Sequence, residues 1–215
     1  MNHRWLTLLT IGFITLMVFV FFIAYLQPIE LPDVEIPIEV GTLTEPTVTF
    51  VNPSKGAEEP VLQIVEFSDF QCGACKTVAP TLDAIVTAFP DQVQLVWKNL
   101  PNESIHTVAT PAAIAAHCAD QQGKFWEYHD ELYARQTFLS EDQLTTIASI
   151  IGLDMSKFSK CNSTRDTLPI VKNDFDEALG LGLTSTPTIF IGDEMVIGAI
   201  TLADLMGIVE AQLNQ

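Results

Sequence analysis

Cys72 and Cys75, in FSDFQCGACKTVAPTL (67–82), are the residues whose type and spacing carry the clearest chemistry in this chain. They stand where an apolar run hands over to a helical pattern, which puts Cys72 at a helix N-terminus. A thiolate there meets unpaired backbone N–H groups and the positive end of the helix dipole, and in such motifs the cysteine pKa falls to about 3.5–7.5. Cys72 is therefore the expected attacking thiol. Cys75, one turn further in, is expected to be less exposed and to resolve a mixed disulfide by attacking Cys72. A zinc half-site or a structural staple would use the same spacing. Zinc calls for a second compact pair, however, and the remaining thiols, Cys118 and Cys161, are far apart in sequence. A staple across two residues closes too short a loop to stabilise much. Spacing and position favour redox chemistry.

Several elements must hold this pair. VLQIVEF (61–67) is an apolar run of strand length, Cys72 to Phe89 spaces its apolar residues helically, and QVQLVW (92–97) reads as a second strand. From about Ser104 to Gly182 the period is helical, with breaks near Gly123, Ser140, Gly152 and Leu168-Pro169, predicting three to five short helices. Strands return at Thr188–Ile191 and Met195–Ile197 around a Gly192-Asp193 turn, and Thr201 is placed to cap a last helix. The predicted fold class is α/β: a thioredoxin-like fold with a helical insertion (about 104–182) between its β-α-β and β-β-α halves.

Ahead of this domain, Trp5 to Gln27 contains no charged residue. As a helix it spans roughly 33 Å, against about 30 Å for a bilayer core. It reads as an uncleaved anchor (1–27). The other reading is a cleaved signal peptide, whose apolar stretch is usually about 7–15 residues and ends at small residues; Ala24-Tyr25-Leu26 is a poor cleavage site. Arg4 precedes the span, while Glu30, Asp33, Glu35 and Glu39 follow it. Positive-inside logic then leaves residues 28–215 outside the cytoplasm, where stable disulfides form. Residues 28–57, rich in proline and acid, read as a semi-extended linker, with Thr47–Val51 as an edge strand; the catalytic domain is expected over 58–215. The net charge of −17 repels polyanions and excludes a nucleic-acid partner.

IVEFSDFQCGAC, GKFWEYHDELY (123–133) and TSTPTIFIG (184–192), three separated motifs in order, resemble the DsbA-like thiol-disulfide oxidoreductases of the thioredoxin superfamily, in their membrane-anchored bacterial branch. The likeness runs from about Pro60 to the C-terminus. It implies a cis-proline loop at Thr186-Pro187 opposite the thiols, with Thr186, Pro187 and Phe70 against substrate. It also implies that Glu66, six residues before Cys72, is a buried acid able to take the Cys75 proton; an exposed strand-edge glutamate is the alternative. Cys118 and Cys161 fall where relatives carry a second, non-catalytic cysteine pair, so a structural disulfide is expected, two buried free thiols being the alternative. The expected partners are exported proteins with free thiols and a quinone-linked membrane oxidase of the DsbB or VKOR-like type. No metal or other cofactor is expected: His106, His117 and His129 lack ligand spacing. Phe125, Trp126, Tyr128 and Tyr133 are read as core. Gly73-Ala74 lacks the histidine that makes some relatives strong oxidants, so a milder oxidant is expected.

Overall fold

The computed structural model describes residues 3–25 and 40–214, which fall in two compact units. The first is a single helix, α1 (His3–Tyr25). Its stretch His3–Ile23, 21 residues of mean hydropathy 2.6, is long and apolar enough to cross a membrane. The hydroxyl of Thr15 is satisfied inside the helix by the Ile11 and Gly12 carbonyls, both at 3.0 Å. The acidic half of the expected linker, 28–39, lies outside the described residues.

The second unit begins earlier than the expected boundary at residue 58, and its edge strand is displaced. Thr47–Val51 forms no strand. Instead Asn52 Oδ1 accepts from both the N–H and the hydroxyl of Thr49, each at 2.9 Å, making a local turn that consumes groups a ladder would need. The edge strand is β1 (Ser54–Gly56), running antiparallel to β3 (Val93–Asn99) with Ser54 opposite Val96. Nor are residues 40–53 a free spacer, because Leu43 N donates to Gly180 O at 2.8 Å and Asn52 Nδ2 to Asp174 Oδ1 at 3.1 Å.

β2 (Leu62–Ser68), β4 (Thr188–Ile191) and β5 (Glu194–Ile197) complete a five-stranded sheet of order β1-β3-β2-β4-β5. The β2–β3 pair is parallel and joined by α2 (Gly73–Ala88); all other neighbours are antiparallel. Strand parity divides the side chains between two faces. Leu62, Ile64, Leu95, Ile189 and Ile191 bury against α2 and the final helix α8 (Leu202–Leu213), which Thr201 caps through Asp204 N. Val65, Phe67 and Val96 turn to the opposite face and pack with Ala178 and Leu183.

The helical insertion comprises α3 (Ala109–Asp120), α4 (Phe125–Ala134), a 3-10 turn (Gln136–Phe138), α5 (Glu141–Ile150), α6 (Met155–Thr164) and α7 (Leu168–Gly180). The five α-helices reach the upper limit of the expectation. Leu168-Pro169, read as a break, opens α7, since proline in a first turn removes an N–H that has no helical partner. Phe125, Tyr128, Leu132, Ile147 and Phe158 share one core with Phe70, Trp97 and both active-site thiols. Cys118 on α3 and Cys161 on α6 are joined by a disulfide with Cα atoms 5.8 Å apart.

Candidate active site

Cys72 is the N-cap of α2, and its Sγ accepts the N–H of Cys75 at 3.3 Å. Its extended backbone (φ −74°, ψ 120°) leaves the sulfur at the helix mouth while Cys75 turns inward to complete burial. This difference in depth separates the two thiols chemically. Hydrogen bonding from the Cys75 thiol is the largest influence on Cys72 and lowers its pKa to about 6; partial burial opposes it, and the Thr186 side chain and the Cys75 and Ala74 N–H groups add to it. Burial pushes the Cys75 thiol far upward, so at neutral pH the pair carries one thiolate, on Cys72.

Facing the pair is the cis peptide Thr186-Pro187. The Cys72 thiol donates to Thr186 O at 3.4 Å, so thiol and proline loop share one rim. Beside Thr186 opens a largely apolar cavity of about 660 Å³, lined by Leu100, Val171, Phe175, Leu183 and Thr184 among others.

The loop before Cys72 is held by side chains. Asp69, buried, accepts from Gln71 N at 2.7 Å, Asn102 N at 2.9 Å and His106 Nδ1 at 2.8 Å. Gln71 Oε1 accepts Val108 N at 2.7 Å, and Gln136 Nε2 donates to the carbonyls of Phe70 and Cys72, both at 2.9 Å. The insertion thereby fixes the loop that presents the thiol.

Beneath the pair lies Glu66, 1 % exposed. Burial raises its carboxyl to about 7, with the Ser68 hydroxyl, donating at 2.7 Å, partly offsetting the effect. It is not the exposed edge residue of the alternative reading. Ser68, two positions on along β2, shares its face, and the Tyr133 hydroxyl of α4 closes on Ser68 Oγ at 3.1 Å.

Phe70 must be corrected. Expected against substrate, it is 1 % exposed and stacks on Trp97 at 4.6 Å between ring centroids, because the insertion supplies an aromatic cluster that sequesters it. Phe125, Tyr128 and Tyr133 are buried in the same core, with Trp126 partly buried against it. Ser68, Asp69, Gln71 and Gln136 escaped the sequence reading. Only Ser68 carried a signal, its even spacing from Glu66; the others act across distances that no local pattern encodes.

Lys98 turns to the other face of β3, buried, with Nζ 3.2 Å from Asp174 and 2.5 Å from Glu177 on α7. Asn99 ties Asp174 Oδ2 to the strand through its backbone N–H at 3.0 Å and lies 2.7 Å from His117 Nε2. Burial holds the His117 ring down at about 4, so it is neutral.

A family model described as thioredoxin matches residues 51–211. Among solved structures, a thioredoxin-like oxidoreductase from Silicibacter pomeroyi DSS-3 superimposes with a TM-score of 0.69 at 26 % identity, over 78 % of this chain and 95 % of that one. The thiol-disulfide exchange protein alpha-DsbA2 from Wolbachia pipientis shares the fold, with a TM-score of 0.69 at 22 % identity over 75 % of this chain and 87 % of that one. A curated relative named Na(+)/H(+) antiporter NhaA 1, from Mycolicibacterium gilvum, is 31 % identical over 73 % of this chain but only 26 % of its own length. This chain thus spans about a quarter of the curated relatives it matches first, and their name describes the whole protein. From the family match and the shared fold, together with a CxxC pair capping α2 opposite a cis-proline loop, the chain belongs to the thioredoxin superfamily, as a thiol-disulfide oxidoreductase of DsbA-like fold.

Proposed function

We propose that this protein is tethered by α1 with its catalytic domain outside the cytoplasm, and that it donates the Cys72–Cys75 disulfide to exported proteins bearing free thiols. One observation carries the reading: Cys72, lowered to about 6, stands at the rim beside Thr186-Pro187 while Cys75 is sealed behind it. A thiolate that is stable at neutral pH favours the dithiol form, and so makes the disulfide the more oxidising.

In the donating direction a substrate thiolate attacks Cys72 Sγ, the Cys72–Cys75 bond breaks, and Cys75 leaves with the electron pair and takes a proton. Glu66, raised to about 7, supplies that proton. A second substrate thiolate then attacks the substrate sulfur of the mixed disulfide and releases Cys72 as thiolate. Thr186 and Pro187 hold the substrate backbone at the rim. The two electrons pass onward when Cys72 attacks a disulfide of a partner, for which the family resemblance supports a quinone-linked membrane oxidase of the DsbB or VKOR-like type. Arg4, in the first turn of α1, supports the topology, with the N-terminus cytoplasmic.

The deciding experiment is the equilibrium reduction potential of the pair in the full chain, in mild detergent and glutathione buffers, with the Cys118–Cys161 state followed separately by mass spectrometry. A value toward the DsbA end, about −120 mV, supports donation. One near thioredoxin, about −270 mV, replaces it with a reductase or isomerase on the same scaffold. A tethered holdase with an incidental CxxC would keep its partner affinity in C72S, whereas the enzyme loses all turnover.

A further inference from the structure

The loop that meets Cys72 also borders a cavity. At about 660 Å³ it falls within the range of about 300–1,000 Å³ of ligand-binding pockets. Leu100 after β3, with Val171, Phe175 and Leu179 of α7, supplies its apolar wall. Glu103 and Lys172 place one charge of each sign on the lining, so net charge selects no ligand. β5 and α8 contribute nothing to it; the cavity lies on the side of the proline loop that the insertion builds. Its remaining edge is the loop itself. Thr184 and Ser185 are exposed and Thr186 partly so, and the N–H groups of all three and the Thr184 carbonyl have no hydrogen-bond partner among the described residues. The Thr186 carbonyl, at the end of this edge, is 3.4 Å from Cys72 Sγ. An apolar hollow alone would suit a hydrocarbon chain. Unpaired main-chain groups beside it suit a polypeptide, whose backbone pairs with such an edge while its side chains fill the hollow.

We propose that this cavity is a side-chain subsite for polypeptide substrates, taking a large apolar residue that follows the reactive cysteine by two or three positions. Antiparallel pairing, commoner than parallel by about two- to threefold, carries the substrate past Thr186 and Ser185 to Thr184 on the C-terminal side of its cysteine. Thr184 is two residues from Thr186, so at about 3.4 Å per residue the second residue after the cysteine comes to the edge of the cavity, and an apolar side chain there or at the third meets the Val171 and Phe175 wall. Large apolar residues are mostly buried once a chain has folded. The subsite therefore selects cysteines in chains not yet folded, and within them cysteines followed by core-forming sequence. It rests on the exchange at Cys72 proposed above, in either direction, and adds a choice among substrates.

The test uses full-length C75A protein in mild detergent, in which a Cys72 mixed disulfide cannot be resolved. Cys72 is first joined to glutathione. A peptide thiolate then attacks Cys72 Sγ, the new disulfide forms and glutathione leaves as thiolate, so the equilibrium between the two adducts, read by mass spectrometry after acid quench, reports what the peptide gains beside the bond. Three eight-residue peptides with one cysteine each are compared: one with Leu-Phe at the second and third positions after it, one with the same pair before it, and one with Ala-Ala in place of the pair. The first should displace glutathione about tenfold or more better than the third, as burial of one large apolar side chain allows, and better than the second. S104W, which narrows the cavity mouth from an exposed position, should remove that advantage. Equal displacement by the three peptides, or an advantage that survives in S104W, overturns the subsite. So does an equal advantage of 1-hexanethiol over ethanethiol, which would give the cavity to bare hydrocarbon. Failure of every thiol to displace glutathione overturns instead the exchange reading of Cys72. Should S104W fail to fold, a photoreactive leucine analogue in the first peptide decides: cross-links to α7 support the subsite, and their absence from α7 overturns it.

Discussion

The Cys72 thiol and the Thr186 carbonyl meet at 3.4 Å, joining the start of α2 to the loop before β4 although 114 residues separate them. Thiol and proline loop therefore share one rim, so groups that tune the thiol stand where a bound backbone would lie.

Alkylation of Cys72 by iodoacetamide is expected to rise with pH through about 6 and level off by pH 8. In C75A the midpoint moves upward by one unit or more, since the Cys75 thiol is the largest influence holding it down. An unchanged midpoint would transfer the effect to the helix terminus. For the reduced protein the sign follows from linkage: the lowered pKa contributes stability that is full above the free-thiol range near 9 and is lost as pH falls through 6.

Glu66 works in the other direction. Its carboxyl is raised from 4.5 to about 7, so the folded state holds a proton that the unfolded chain has released. Its contribution is fully present below pH 4.5 and declines between 4.5 and 7, by about 3 kcal/mol in total at 1.36 kcal/mol per unit. E66Q should remove that decline, making the variant more stable than wild type in urea at pH 8 but not at pH 4, while it slows resolution. Parallel stability curves at both pH values would sink this assignment.

Opening the Cys118–Cys161 disulfide, which closes a 43-residue separation, should cost about 2–4 kcal/mol. The doubly substituted C118A/C161A protein is expected to melt lower yet keep the Cys72 titration near 6. A shifted titration would mean that this bond also positions the active site.

Lys98, wholly enclosed by β3 and α7, is expected to be costly to delete. K98M strands the Asp174 carboxylate and should lose about 3–5 kcal/mol in urea unfolding. Adding D174N to K98M should restore about half. Equal loss in single and double variants would show that packing, not charge, governs the site.

Much of this protein is legible in its linear order. The thiols, the strand-to-helix handover and the last two strands follow from short-range causes: the two-residue period of a pleat, the 3.6-residue period of a helix and the capping chemistry of Cys72 and Thr201. Glu66 could be suspected of burial because it interrupts an apolar strand. What the order of residues could not settle is which groups meet after the chain returns on itself. Phe70 was drawn toward substrate by its place in the motif, and the aromatic cluster of the insertion took it inward. The TVTFV segment had strand propensity, yet Asn52 captured its backbone and the edge passed to Ser54–Gly56. Ser68 stands where a hydroxyl has no evident purpose until Tyr133, 65 residues away, closes on it. Local periodicity determines elements because its forces act within a turn or a strand pair, whereas burial, and with it the chemistry of Glu66, Ser68 and Cys75, depends on which elements pack together.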